Sequence, residues 1–161
     1  MSAVTIEFDL NGRPERVQAQ SNWTLLQLLR EGLTLLGTEE GCGEGSCGTC
    51  TVLVDDSPVR ACLFLAVRVP GRSVTTIEGI GSVGGAPLQD AFVECGAIQC
   101  GFCTPGMILS SHVLLSEQPS PSTEQIKEAL SGNFCRCGGY SLIVEAVHQA
   151  AVRIGEASGE R

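Results

Sequence analysis

The cysteines constrain this chain more tightly than any other feature: nine occur in 161 residues, and eight of them fall into two spaced groups. Cys42, Cys47 and Cys50, followed at a distance by Cys62, read C-x4-C-x2-C…C, while Cys100 and Cys103, then Cys135 and Cys137, read C-x2-C…C-x-C. The amino terminus, MSAVTIEFDLNG, shows no basic n-region, no continuous apolar run and no twin arginine, so the expected compartment is the cytoplasm. In a reducing compartment, cysteines grouped this way serve metals or redox chemistry rather than disulfides. The ninth, Cys95, is expected to be a small packed side chain with no cofactor.

The first group has the spacing of a plant-type ferredoxin, which holds a [2Fe-2S] cluster. Gly41, Gly43, Gly45 and Gly48 fall between or beside its ligands, where a loop must wrap a cluster closely and aim N–H groups at sulfur. A structural zinc usually takes two short knuckles instead. For the second group, spacing alone leaves zinc and [2Fe-2S] equally open. Its position adds that both pairs lie at helix ends, where one metal centre could pin helices together and where positive helix N-termini favour an anionic cluster.

The rest of the chain reads as two halves. Val4, Ile6, Phe8 and Leu10 alternate with polar residues as a half-buried strand does, Asn11-Gly12 supplies a tight turn, and residues 16–20 return as its partner. Thr24 and Gln27 form a capping box before a short leucine-rich helix ending at Gly32. Residues 51–54, the turn Asp55-Asp56-Ser57-Pro58 and residues 59–67 are expected as further strands. Residues 79–87, with four glycines and a proline, are expected to be a flexible linker. Beyond it four helices are expected: residues 88–95; a helix N-capped by Thr104 with Pro105 first, through 115; residues 126–130 after the Ser122 and Gln125 capping box; and residues 143–154. The predicted domains are therefore 1–78 and 88–161, in an α+β fold. Halves this small often need a metal to be stable.

Composition excludes several functions. Eighteen acids against ten bases give a net charge of −8, unsuited to a phosphate backbone, so no nucleic-acid partner is expected. No apolar run approaches the roughly 20 residues of a membrane span. Residues 79–85 lack the Lys-Ser/Thr ending of a phosphate-binding loop. His112 and His148 stand alone and are expected to pack rather than bind metal, and Arg136 either offsets cluster charge or is solvated. Only five Phe, one Tyr and one Trp are present, so something other than aromatic packing must help organise the chain.

Three stretches, GCGEGSCGTC (41–50), QCGFCTPGM (99–107) and GNFCRCGGY (132–140), taken in this order and spacing, resemble the small iron–sulfur subunit of the xanthine oxidase family of molybdenum hydroxylases. The resemblance covers nearly the whole chain. It implies an N-terminal ferredoxin-like β-grasp domain, a C-terminal four-helix bundle carrying the second [2Fe-2S] cluster, and eight ligands: Cys42, Cys47, Cys50 and Cys62, then Cys100, Cys103, Cys135 and Cys137. It also implies a large subunit with molybdenum–molybdopterin in its dinucleotide form, a medium subunit with FAD, and a dimer of heterotrimers. Electrons would pass between the pterin centre and FAD through the two clusters, with no catalytic residue on this chain. Gln99 and Cys137 match the family's pterin contacts. Gly138 stands where the family usually has Thr, removing a small hydroxyl beside the cofactor. A stand-alone two-cluster ferredoxin and a zinc-stabilised interaction module are the competing readings.

Overall fold

The computed structural model describes residues 2–159, with side chains through 157; the expected domain limits at residues 1 and 161 lie outside the described residues. Five strands form one mixed sheet in the order β2-β1-β5-β3-β4. The opening hairpin is β1 (Ala3–Leu10) and β2 (Arg13–Gln20), in register from Ala3 opposite Gln20 to Leu10 opposite Arg13. Its turn places Asn11 at φ 54° and Gly12 at φ 78°, the left-handed pair a two-residue hairpin needs to match strand twist. Ile6, Phe8 and Leu10 are buried while Thr5 and Glu7 face solvent, as the alternation predicts.

Helix α1 (Leu25–Gln27) starts at the expected Thr24–Gln27 capping box and continues into a π-helical turn over Leu28–Gly32. The second hairpin differs from its sequence reading. Strands β3 (Thr51–Val54) and β4 (Ser57–Arg60) are joined by Asp55-Asp56 alone, both at positive φ, and the chain leaves the sheet after Arg60 rather than continuing to 67. Pro58 is tolerated because β4 is the sheet edge. The central strand β5 (Ser73–Thr75), absent from the sequence reading, pairs parallel with β1 and antiparallel with β3.

Residues 79–87 are more ordered than a linker: Ile80–Val83 form a 3-10 turn, and α2 (Ala86–Glu94) has begun before Pro87. Ile80 is fully buried against the helical core. Proline at the second helical position gives up an N–H that would have no intrahelical partner. Next come α3 (Thr104–Glu117), α4 (Thr123–Leu130) and α5 (Tyr140–Gly159), four helices in all with α2. Cys103, not Thr104, is the N-cap residue of α3, with Pro105 in the first turn. The Ser122–Gln125 capping box is present. Met107, Ile108, Leu109, Ser110 and Ser111 are all buried, so α3 is enclosed on nearly every side, whereas α5 buries one stripe at Ile143, Ala146, Val147, Ala150 and Ala151.

Buried side chains sort into two clusters, one under the sheet and one among the helices. Strand β3 is the wall between them. Val52 and Val54 belong to the sheet core and Leu53 to the helical core, as opposite faces of one strand allow. Burying such an aliphatic side chain contributes about 1.5–3 kcal/mol, so β3 anchors both halves directly after Cys50.

Candidate metal centres

The glycine loop of the first cysteine group is held at both ends. Arg30 of the π-helical turn donates to the carbonyls of Leu36 (2.9 Å) and Thr38 (2.7 Å), and Glu78 accepts from the Gly37 N–H (2.9 Å) and from Thr76 Oγ1 (2.6 Å). Thr76 is tied to the first hairpin by Asn11, whose Oδ1 accepts its N–H at 2.9 Å. The far end of the loop runs into β3. The distant Cys62 is delivered by α1: the N–H groups of Leu25 and Leu26, which have no intrahelical acceptor, donate to Phe64 and Ala61 carbonyls (2.6 and 3.1 Å). Ala61 N–H donates in turn to the Cys50 carbonyl at 3.1 Å, setting Cys62 beside Cys50.

Within this group the thiols influence one another: Cys47 favours the Cys42 thiolate, while Cys62 and Cys47 repel charge on Cys50. The Ser46 hydroxyl and the N–H groups of Glu44 and Cys47 pull the Cys42 thiol down to about 6. Burial pushes Cys50 up to about 11, aided by Cys62 and Cys47.

The second group gathers two pieces of irregular chain against the bundle. Cys100 and Cys103 enter the first turn of α3; Cys135 and Cys137 occupy the connection from α4 to α5. Gln99, Cys100, Cys103, Cys135, Cys137 and Gly139 line a common cavity of about 10 Å³. The Phe102 N–H and the Cys137 thiol favour the Cys100 thiolate. Burial drives the Cys103 thiol up to about 12, with Cys135 and Cys100 adding repulsion. Burial also opposes the Cys135 thiolate, yet the N–H groups of Gly139, Cys137 and Gly138, with the Cys103 thiol, hold it below its ordinary value. Gly139 N–H reaches Cys135 Sγ at 3.4 Å, and the Tyr140 hydroxyl accepts the Cys135 N–H at 2.8 Å.

Both groups share a chemistry. Thiols gathered this way oppose one another's ionisation, and bound iron would remove the repulsion while leaving N–H groups aimed at sulfur. Four thiols per group also suit a two-iron cluster. Among the described residues no three His, Cys, Asp or Glu groups converge as one metal ion requires.

The other singled-out residues sort plainly. Cys95 sits between α2 and α5 and donates to Gln149 Oε1 at 2.7 Å, apart from both groups. His148 joins α5 to α4 through Thr123 Oγ1 at 3.0 Å, and burial depresses His112. Arg136 is exposed. Gln99 is exposed, with its amide near Gly139, and Cys137 is exposed. Gly138 takes φ +76°, a conformation that would strain a β-branched residue such as the family's Thr. Sequence reading missed Arg60 and Asn133, which join the two groups from β4 and from the α4–α5 connection. Asn133 stands in the sequence only as part of the GNFCRCGGY stretch, and no local pattern marks a contact across the fold.

Known proteins agree with this geometry. The family model for a 2Fe-2S iron-sulfur cluster binding domain matches residues 8–67, and that for a [2Fe-2S] binding domain matches residues 76–148. The small subunit of nicotine 6-hydroxylase from Paenarthrobacter nicotinovorans is 46% identical over 97% of this chain and 94% of its own length. The small FeS subunit of nicotinate dehydrogenase from Eubacterium barkeri is 45% identical over 95% and 98%. In the crystal structure of quinoline 2-oxidoreductase from Pseudomonas putida 86, one chain superposes with a TM-score of 0.91 at 40% identity, covering 100% of both chains. Two cluster-binding modules in this order, on a fold shared end to end with such subunits, mean that the chain belongs to the small iron–sulfur, electron-transfer subunits of the xanthine oxidase family of molybdenum hydroxylases.

Proposed function

We propose that Cys42, Cys47, Cys50 and Cys62 hold one [2Fe-2S] cluster and Cys100, Cys103, Cys135 and Cys137 the other, and that this chain relays electrons between a molybdopterin-bearing large subunit and an FAD-bearing medium subunit. The observations that carry the reading are the gathering of Cys100, Cys103, Cys135 and Cys137 around one cavity, with the Gly139 N–H on Cys135 Sγ, and the return of Cys62 toward Cys50 through the Ala61 N–H on the Cys50 carbonyl. A bound [2Fe-2S] cluster supplies one-electron transfer. The chain supplies the rest: thiolates positioned by the sheet and by helix ends, N–H groups that stabilise charge on sulfur, and a protein wall that keeps water from Cys50 and Cys135.

Exposure supports an orientation within the complex. Cys100 and Cys137 face outward with Gln99 beside them, so this face meets the pterin, with Gln99 and Cys137 as the contacts. The exposed apolar side chains Leu63 and Leu65 follow Cys62 and suit a contact with the flavin subunit. A dimer of heterotrimers in the cytoplasm and a division into domains 1–78 and 88–161 complete the reading. No helix is long and apolar enough to cross a membrane among the described residues.

The substrate is chosen elsewhere. Relatives named for nicotine, nicotinate and quinoline oxidation are 46%, 45% and 40% identical. An aldehyde oxidoreductase of Desulfovibrio desulfuricans, of which this chain spans 17%, is 42% identical with a TM-score of 0.88. Likeness that ignores the reaction supports a selectivity set on the large subunit.

The test is iron analysis with electron paramagnetic resonance on the purified complex. About four irons per chain and two distinct signals on reduction are expected, with Cys137→Ser removing one signal only. Zinc in place of iron would overturn the reading.

A further inference from the structure

We propose that Asn133 is a positioning residue that locks the two cysteine groups together, by holding the peptide N–H of Phe134 on the carbonyl of Cys47; the proposal rests on the cluster-binding reading above. That hydrogen bond is 2.8 Å long. Cys47 belongs to the first group, and the residue after Phe134 is Cys135 of the second. One hydrogen bond and the backbone of three residues therefore connect a thiol of each group. A bonded route of this kind couples two redox centres better than the same gap crossed through space, and it does so only while the hydrogen bond stays short.

Asn133 is placed to keep it short. It is 4% exposed, and both ends of its amide are used: Nδ2 donates to the Gly48 carbonyl at 3.1 Å, and Oδ1 accepts from Ser110 Oγ at 3.1 Å. The same Gly48 carbonyl accepts from Thr51 Oγ1 at 2.6 Å. Thr51 is held by Arg60, which spans the joint with Nη1 on Thr51 Oγ1 (2.6 Å) and Nη2 on the Gly132 carbonyl (2.8 Å). A network buried at Asn133, Ser110 and Thr51 fixes one geometry, and removing the Asn133 amide takes this partner from Ser110 and leaves the Gly48 carbonyl to Thr51 alone. Glycine is required where the segments touch: a Cβ at Gly48, whose φ is +76°, would strike the Gly132 carbonyl, and one at Gly106 in the first turn of α3 would strike the Gly48 carbonyl. Three segments, each next to a ligand, thus meet around the Asn133 amide.

The choice of amide is specific. Aspartate has the same shape and can still accept from Ser110, but it would turn a carboxylate oxygen toward the Gly48 carbonyl in place of a donor. The test uses the complete chain, native and Asn133→Asp, with hydrogen–deuterium exchange of the peptide spanning Phe134 read by mass spectrometry. Iron content and the magnetic splitting between the two reduced clusters are read alongside. Exchange at Phe134 is expected to rise about tenfold, equivalent to about 1.4 kcal/mol, with α5 unchanged, iron retained and the splitting reduced. Unchanged exchange at Phe134, or acceleration spread evenly over α3 and α5, would overturn the assignment. Ser110→Ala, which frees the other end of the amide, is the milder variant and should accelerate the same peptide about threefold; no change there counts against the proposal equally. A native chain without iron whose Asn133→Asp form still loosens locally at Phe134 would support the lock and sink the cluster reading.

Discussion

The two cysteine groups sit in opposite kinds of scaffold. The first is an insertion between finished elements: its loop is anchored by Arg30 and Glu78, and its distant ligand by α1, so the sheet is hydrogen-bonded with or without a metal. The second group replaces secondary structure. Residues 97–103 and 131–139 are irregular, and Cys100, Cys103, Cys135 and Cys137 line one cavity between the entry of α3 and the entry of α5. A metal in the first site decorates a fold, whereas a metal in the second helps to make one.

Single ligand substitutions give the sharpest break. Cys135→Ser should lower iron from about four to about two per chain and drop the thermal midpoint of the helical half by on the order of 10 °C or more. Cys42→Ser should cost the same iron with a midpoint shift of about half that size or less, measured by calorimetry on the same preparation. Equal shifts for the two variants would erase the contrast. A medium effect tests the joint: Gly48→Ala forces a Cβ onto the Gly132 carbonyl at a left-handed position and should cost about 2–3 kcal/mol. Because the joint is common property, denaturant titration should show both halves weakened, not the sheet alone.

The smallest effect belongs to the surface of the bundle. Arg153 of α5 pairs with Glu94 of α2, and this guanidinium holds the carboxyl below its ordinary value. A depressed carboxyl stabilises the fold above its unfolded value and ceases to do so as pH falls through its folded one. Arg153→Met should therefore lower the melting temperature slightly at neutral pH, with the difference from native closing as the solution is acidified below the carboxylate range. A difference that persists in acid would assign the effect to lost packing of the Arg153 stem.

Local chemistry made much of this legible from the residues. The Asn11-Gly12 turn and both capping boxes each depend on neighbours within a few positions, and each stands where it was expected. Strand β5 escaped because three residues are too few to show an alternation, and its place at the centre of the sheet depends on two partners remote in sequence. The extended strand expected through residue 67 failed because the chain must bend after Arg60 to bring Cys62 back to Cys50. Residues 79–87 misled through their glycines, which there serve a compact 3-10 turn that Ile80 pins to the helical core. The Asn133 lock had no sequence signal, since its two sides lie 85 residues apart.

Strand β5 also sets an order of assembly. Each hairpin, β1 with β2 and β3 with β4, can close as soon as its own residues are made, but they have no hydrogen-bonded neighbour in common until Ser73–Thr75 slides between them. On a growing chain that segment appears after all four cysteines of the first group, so the sheet that frames their loop is completed last, by a strand made after every one of those thiols.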